Sequence, residues 1–198
     1  MLAYVFWHRP REGVGTDAYE AAHVAFHRSL ARTPPVGLRG SMTFRLQETP
    51  WLGGPAGAGY EDWYMLADFT ALGVLNEAAV GRGHRSSHDE VARQFGEGAG
   101  GLYCLIEGDA PLGPVAAGAR STATWVARPP GSTRRGLGEL LGDGMDPRHA
   151  SLWRRQLVLG PAPEFCLLAS EASAGVAPTR LPSGWSARTL EREVLFGG

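Results

Sequence analysis

Histidine side chains are the first candidates for chemistry in this sequence, because imidazole gains and loses a proton near neutral pH. His8 ends the apolar stretch AYVFWHRP. His23 and His27 are four residues apart, and His84 and His88 have the same spacing. Histidines at positions i and i+4 share one face of a helix, where they can bind a metal ion or act as general acids and bases.

The pair His23 and His27 lies within a segment that is predicted to be a helix. Thr16 precedes an apolar stripe with helical spacing, and we interpret it as the N-cap. Glu20 lies about one turn before His23, but the sequence identifies no third metal ligand. We therefore predict no metal site and consider His27 as a general acid or base. The alternative is that His27 only hydrogen-bonds a backbone group.

The pair His84 and His88 flanks a predicted helix start. Ser87 and Glu90, in the segment SHDE, have the spacing of a capping box. The helix would then begin between the two histidines, and their imidazoles would not share a face. We expect no metal ion at this pair.

His8 shares one face of the first predicted strand with Tyr4 and Phe6. If that face lines the interior of a barrel, His8, Tyr64 and Arg45 converge on a polar spot in an apolar pocket. Such a pocket is the usual form of a small-ligand site. The alternative is a histidine at the rim of the strand with no ligand.

The composition is that of a globular protein without a general affinity for polyanions. The chain has 198 residues, 43% of them hydrophobic, and 19 basic against 20 acidic side chains give a net charge of -1. We therefore expect no nucleic-acid partner. All 19 basic residues are arginine, which excludes catalysis through a lysine Schiff base.

The expected cell compartment is the cytoplasm. Cys104 and Cys166 have no metal-site spacing, and we expect both to be free thiols. The N-terminal apolar run has no basic region ahead of it. No apolar stretch approaches the roughly 20 residues of a membrane span. We therefore expect no membrane partner, and leave a homodimer open.

Apolar periodicity predicts an α+β order in the first half of the chain. The predicted elements are a strand at 2–8, a helix from 16 to Pro34, strands at 38–47 and 61–69, helices at 70–80 and 87–95, and a strand at 102–107. This β-α-β-β-α-β order is the ferredoxin-like arrangement. One face of its sheet needs a covering partner, because an apolar sheet face must be buried.

The second half of the sequence repeats parts of the first. AYVFWHRP returns as TATWVARP, in which Ala127 replaces the histidine. Residues 164–176 match 62–74 at an offset of 102, which indicates an internal duplication. The predicted parts are a first half at 1–110, a linker at 111–120 and a shorter second half at 121–198. The second half would contain strands at 122–129, 151–159, 164–170 and 186–196 and a short helix at 133–142.

Residues 9–30, RPREGVGTDAYEAAHVAFHRSL, carry a resemblance to a known family. Arg-Pro, a glycine turn, a Thr cap, an aromatic residue and a histidine follow one another, and Tyr19 and His27 occupy the last two positions. This pattern resembles the EthD-type members of the dimeric α+β barrel superfamily, in which two ferredoxin-like units stack sheet against sheet. Given the internal duplication, both units would lie in one chain in this protein. The resemblance places one site in the first half, in the cleft between sheet and helices or in the barrel interior.

These observations lead to two functional hypotheses. The first is a protein that binds a small apolar molecule, or a cofactor-independent enzyme of monooxygenase or isomerase type. Its site residues would be the catalytic His8 and His27 and the ligand-binding Tyr64, Arg45 and Tyr19. We expect no cofactor, although haem-binding members of the superfamily leave haem open. The second hypothesis is a non-catalytic binding or scaffold protein, since fold alone does not choose a function.

Overall fold

The described residues form eight strands and three helices. The computed structural model describes residues 1–53, 57–81, 83–131, 150–156, 160–169, 181 and 183–198. The elements are β1 (Leu2–Pro10), α1 (Thr16–Arg32), β2 (Leu38–Leu46), β3 (Gly59–Leu66), α2 (Phe69–Gly81), α3 (Arg85–Gln94), β4 (Phe95–Gly108), β5 (Arg120–Ala127), β6 (Ala150–Arg155), β7 (Phe165–Ala169) and β8 (Ser186–Gly197).

The strands close into a barrel in which neighbouring strands are antiparallel. Their order around the barrel is β1-β3-β2-β8-β5-β7-β6-β4. The first four strands are adjacent in the order β4-β1-β3-β2, and the last four in the order β8-β5-β7-β6. The predicted α+β class with a barrel is therefore confirmed.

Four tryptophans fill the centre of the barrel: Trp7, Trp63, Trp125 and Trp153, all fully buried. Their rings meet edge to face, with centroids 5.2 Å apart for Trp7 and Trp125 and 5.5 Å apart for Trp63 and Trp153. Edge-to-face contact is favourable because the positive ring edge meets the negative face of its neighbour. The centre of the barrel is thus a packed core.

The helices cover the outer face of the first four strands. In β1, Val5 and Trp7 point into the barrel, whereas Leu2, Tyr4 and His8 point outward beneath the helices. The hypothesis that the face of His8 lines the barrel interior is therefore wrong. Both faces of β1 are buried, so its apolar pattern did not reveal which face was interior.

The starts of helices α1 and α3 differ from the sequence predictions. Helix α1 has Gly15 as its N-cap, with no side-chain capping bond, and Thr16 is its first residue. Helix α3 begins at Arg85, so Ser87 lies inside it. The Ser87 hydroxyl donates to the carbonyl of His84 at 2.9 Å instead of accepting from a backbone N–H. The capping-box spacing was therefore misleading, because a serine in the first turn can bond backward to a carbonyl.

Strand β4 begins at Phe95, seven residues before the predicted start at 102. The glycine-rich stretch after Phe95 belongs to the strand because it lies against aromatic rings of β1. A Cβ on Gly98 would stand 2.5 Å from Phe6 Cζ, and a Cβ on Gly100 would stand 2.6 Å from Tyr4 Oη. Glycine is thus required here for the close approach of two rings.

The strands of the second half follow the predicted order. Strand β5 begins two residues before the predicted 122–129, and β8 ends one residue after 186–196. Strand β6 begins one residue before the predicted 151–159. Strand β7 begins one residue after the start of the predicted 164–170. The predicted helix at 133–142 and residues 170–176 of the internal match lie outside the described residues.

The ring packing on β4 leads to a stability prediction. We expect Gly98→Ala to lower the free energy of unfolding by about 1–3 kcal/mol, since the new methyl group would also meet the Trp7 carbonyl oxygen at 2.9 Å. Urea unfolding followed by circular dichroism measures the loss. Gly53→Ala is the control, because a Cβ there meets nothing within 4 Å. Equal stability of the two variants would contradict this account of β4.

Candidate functional site

The centre of the candidate site is a buried carboxylate, Asp62. Alternation along β3 turns Glu61 and Trp63 into the barrel and Asp62 and Tyr64 toward the helices. The Asp62 side chain is only 2% exposed. A buried carboxylate needs partners, because removing a charge from water is costly. Among the described residues these partners are histidines and a tyrosine.

Three histidines surround the Asp62 carboxylate. His8 Nε2 lies 3.3 Å from Oδ2, and His27 Nε2 lies 3.4 Å from Oδ1. His23 Nδ1 lies 3.7 Å from Oδ2. Helical spacing places His23 and His27 on the same face of α1, as the sequence predicted, and that face packs over β3. All three imidazoles are buried.

Hydroxyl groups hold the far sides of two of these rings. His8 Nδ1 lies 2.8 Å from the Tyr19 hydroxyl, and His27 Nδ1 lies 2.8 Å from Ser41 Oγ. A neutral ring with its proton on Nε2 presents that proton to Asp62 and accepts the hydroxyl proton at Nδ1. Each ring is therefore held by a hydrogen bond at Nδ1, while its Nε2 faces Asp62 without a hydrogen bond among the described residues. The predicted backbone partner of His27 is replaced by a serine side chain.

The electrostatics of the cluster favour an ionised Asp62. Burial alone would raise the pKa of the Asp62 carboxyl, but the neighbouring His8 and His27 imidazoles hold it well below its ordinary value. Burial lowers the pKa of His8, and the neighbouring carboxylate offsets this only in part. Burial and the charge of Asp62 raise the pKa of Tyr64 well above its ordinary value. The Tyr64 hydroxyl donates to Asp62 Oδ2 at 3.0 Å.

His23 differs from the other two histidines. Within the described part of the chain, neither of its ring nitrogens has a hydrogen-bond partner. Its ring stacks on His8, with centroids 4.3 Å apart and planes 10° from parallel, and it also contacts Tyr19. His23 is thus a fixed imidazole whose nitrogens make no hydrogen bond with the described residues.

A cavity of about 600 Å³ lies between the outer sheet face and the helices. Its walls are mainly apolar, and His23, Asp62 and Tyr64 form its polar end. Asn76 and His88 add polar groups on the helix side. The apolar walls are formed by Tyr4, Phe6, Phe26, Leu72, Leu75, Ala79, Val80 and Val91. Cavities of this size and character hold small organic molecules.

The predicted site residues take different places around this cavity. Tyr64 lines it, whereas His8 and His27 lie behind Asp62 and do not. Tyr19 holds His8. Arg45 does not line the cavity. It pairs with Glu20 at 2.6 Å and with Glu193 at 3.2 Å, where its side chain is one-third exposed.

Sequence reasoning missed the roles of Asp62 and His23. The available signal was the pair Glu61-Asp62 within YEDWYML, because two consecutive carboxylates in a fully buried strand require partners on both faces. His23 was considered only as half of a metal pair.

The ring geometry argues against a metal ion at this cluster. His8, His23 and Asp62 place ligand atoms within 4.8 Å of one another, which is close enough for a shared ion. A histidine binds metal through a lone pair in its ring plane. The stacked rings of His8 and His23 keep their lone pairs in nearly parallel planes, and His8 Nδ1 is engaged by Tyr19. The arrangement therefore fits a hydrogen-bonded carboxylate better than a metal centre.

The other histidine pair does not form a common site. His84 Nδ1 lies 2.7 Å from the Ser29 hydroxyl, and its Nε2 lies 3.0 Å from the Thr33 carbonyl. These contacts tie the start of α3 to the end of α1. His88 instead faces the cavity and contacts Phe26 edge to face. The expectation that His84 and His88 serve no shared ion thus stays a prediction with geometric support.

The burial of His8 and His27 leads to a prediction for their removal. We expect His8→Ala and His27→Ala each to lower the free energy of unfolding by about 1–3 kcal/mol, because each leaves a buried hydroxyl and part of Asp62 without a partner. Urea unfolding measures the change. Arg28→Ala, at an exposed position of α1, is the control and should stay within about 0.5 kcal/mol of the wild type. A loss of less than about 0.5 kcal/mol in both histidine variants would contradict a structural role for His8 and His27.

A second prediction concerns metals. We expect EDTA to leave the melting temperature and the far-ultraviolet spectrum unchanged, since the Tyr64 hydroxyl and the His8 and His27 imidazoles already surround Asp62. A sample dialysed against Zn²⁺ provides the comparison. A drop of several degrees in EDTA, reversed by one added metal, would show that the cluster holds an ion after a ring rotation.

Several solved structures match nearly the whole chain. No family model matches the sequence, and no curated protein matches it significantly. A "putative monooxygenase" from Fusobacterium nucleatum subsp. nucleatum has a TM-score of 0.70 and 9% identity, covering 99% of this chain and 93% of its own. An anthrone oxidase-like protein has a TM-score of 0.56 and 10% identity, with coverages of 100% and 92%.

The third match is a "putative monooxygenase" from Lactobacillus acidophilus NCFM, with a TM-score of 0.57, 8% identity and coverages of 100% and 95%. At these identities the likeness concerns the fold, and not the residues of the site. The chain therefore has the α+β barrel fold of these three proteins.

Proposed function

We propose that the chain binds a small apolar molecule in the cavity between sheet and helices and acts on it by cofactor-independent acid–base or oxygen chemistry. One observation carries the proposal. His23 is a buried imidazole with no hydrogen-bond partner among the described residues, and it lies at the polar end of an apolar cavity beside a buried carboxylate.

The cavity walls define the substrate class. Rings and aliphatic side chains surround most of the volume, so a bound molecule would be largely apolar, and aromatic rings would suit Tyr4 and Phe6. The polar end would receive one group that can give up a proton, such as a phenol or an acidic C–H. That group would face His23 and Tyr64.

The proposed catalytic residue is His23, acting as a general base. Proton uptake would give it a positive charge, which the Asp62 carboxylate at 3.7 Å would stabilise. Tyr64 donates to the same carboxylate and would orient it. His8 and His27, predicted as catalytic residues, would act as positioning residues that keep Asp62 ionised and fixed.

The names of the structural neighbours support oxygen as a co-substrate. In such a reaction His23 removes a proton from a CH₂ group, and the carbanion reduces O₂ to give a hydroperoxide after the proton returns. Loss of water then leaves a ketone, so that one CH₂ and one O₂ become one C=O and one H₂O. An isomerase would use the same deprotonation and return the proton to another carbon.

A non-catalytic binding protein is the second candidate. The tryptophan core of the barrel favours it, because that interior holds no reaction space at its centre. The full burial of His8 and His27 also fits side chains that only satisfy packing. In this case the cavity would bind its ligand without turnover.

We further propose that residues 1–110 and 121–198 are ferredoxin-like halves of a duplicated chain. The identical strand order within the two groups of four strands supports this. The EthD-type likeness has support from its two marker residues, since Tyr19 bonds His8 and His27 contacts Asp62. The linker at 111–120 would then join the halves.

Anthrone is a suitable probe, because it is flat, apolar and carries an acidic CH₂ group. We expect the wild-type protein to accelerate O₂ uptake by anthrone, with anthraquinone and water as products. His23→Ala should lower the rate by about 100-fold or more, as for loss of a general base. An oxygen electrode and absorbance spectra follow the reaction.

The control is Arg45→Gln, which removes a charged side chain that does not line the cavity. Arg45→Gln should retain the wild-type rate of O₂ uptake. Loss of activity in this variant would contradict a catalytic site at His23. Anthrone binding without O₂ uptake would favour the non-catalytic candidate. Native mass spectrometry of the purified protein would reveal a bound ligand or haem.

A further inference from the structure

A second cavity, of about 650 Å³, lies at one end of the barrel. It shares no lining residue with the cavity beside His23. Strands β2, β5 and β8 contribute to its walls, and residues 109–112 pass along its rim. Its apolar walls include Met42, Phe44, Leu112, Leu168 and Val194. Two of the polar side chains that line the cavity, Arg192 and Ser121, belong to neighbouring strands.

Arg192 lines this cavity, and its side chain is only 5% exposed. Its Nη1 donates to Glu61 Oε1 at 3.1 Å, and its central carbon lies 4.2 Å from the centre of the Phe44 ring. Its Nε has no hydrogen-bond partner within the described ranges. Ser121 Oγ, which is buried and belongs to a residue lining the same cavity, also has none there.

Glu61 is fully satisfied by contrast. It accepts a hydrogen bond from the Trp7 indole at 2.8 Å and one from the Trp63 indole at 2.7 Å, in addition to that from Arg192. The carboxylate is therefore fixed, and it neutralises the arginine. A buried ion pair contributes little to stability, because the desolvation cost offsets the attraction. Such a pair needs further hydrogen bonds to offset this cost, and the Arg192 Nε–H has none within the described ranges.

We infer that this cavity binds a second, distinct ligand: an apolar molecule with one neutral hydrogen-bond acceptor, such as a ketone carbonyl. Arg192 Nε and the Ser121 hydroxyl would donate to the acceptor oxygen, and the apolar walls would hold the remainder. The acceptor is expected to be neutral because the charges of Arg192 and Glu61 already cancel each other. The two charges at the rim, Asp109 and Arg120, are also opposite in sign.

The test uses 2-decanone as the probe and n-decane as its partner without an acceptor. Binding is followed by tryptophan fluorescence, since Glu61 connects Arg192 to the indoles of Trp7 and Trp63. We expect 2-decanone to bind at least about fivefold more tightly than n-decane, and decanoate to bind more weakly than 2-decanone. Tighter binding of decanoate, or equal binding of ketone and alkane, would overturn the inference.

Two variants assign the binding to this cavity. Ser121→Ala should weaken 2-decanone binding by about three- to tenfold, the effect of losing one neutral hydrogen bond. The double variant E61Q/R192M removes both charges together and should weaken it by about tenfold or more. If the double variant does not fold, Ser121→Ala decides, and unchanged affinity there contradicts the inference.

His23→Ala is the matched control, because His23 belongs to the other cavity. It should leave 2-decanone binding unchanged. If His23→Ala abolishes the fluorescence response and Ser121→Ala does not, the probe binds beside Asp62 and the second site is disproved. Because the anthrone assay reports only on the first cavity, failure of one proposal leaves the other unaffected.

Discussion

Two consecutive buried carboxylates on one strand impose the main constraint on this structure. Glu61 and Asp62 are neighbours on β3, so the two-residue period of a strand directs them to opposite faces of the sheet. Both are essentially inaccessible to water. Because a buried charge is costly without partners, each face of β3 must supply donors of its own. The barrel interior and the helix layer each meet this requirement differently.

On the barrel side, the donors are indoles and one arginine. Glu61 accepts from Trp7 and Trp63, and Arg192 arrives from β8, the last strand in the chain. The arrangement therefore links the first and last strands of the sequence through one carboxylate. Arg192 also lines the cavity at the barrel end.

On the helix side, the Tyr64 hydroxyl donates to Asp62 and three imidazoles surround it. His8 and His27 are locked by hydroxyls of Tyr19 and Ser41, whereas His23 remains without a hydrogen-bond partner in the described part of the chain and faces a cavity. Under the proposed function, structural and chemical duties would fall on different histidines of one cluster. Two rings would hold the charge in place, and the third would act on a bound molecule. Rigid support of this kind keeps a reactive group in position.

Local patterns in the sequence were sufficient for the element order and for part of the cluster. Alternation and turn residues predicted the strands, and the i, i+4 spacing placed His23 and His27 on one face, because these features depend on neighbours within a few residues. Local rules failed where distant contacts decide. Strand β4 extends through its glycines because rings of β1 lie against them. The start of α3 depends on His84, which contacts the end of α1.

The contacts that define both cavities join residues far apart in the chain. Asp62 meets His8, 54 residues before it, and Glu61 meets Arg192, 131 residues after it. No local pattern encodes such pairings, since they arise only when the barrel closes and the helices pack on it. The sequence by itself determined which residue types were present and which faces of each element they share. The tertiary structure alone decided which face of β1 lies inside the barrel, because both faces are apolar and only the packing of helices against one of them distinguishes the two.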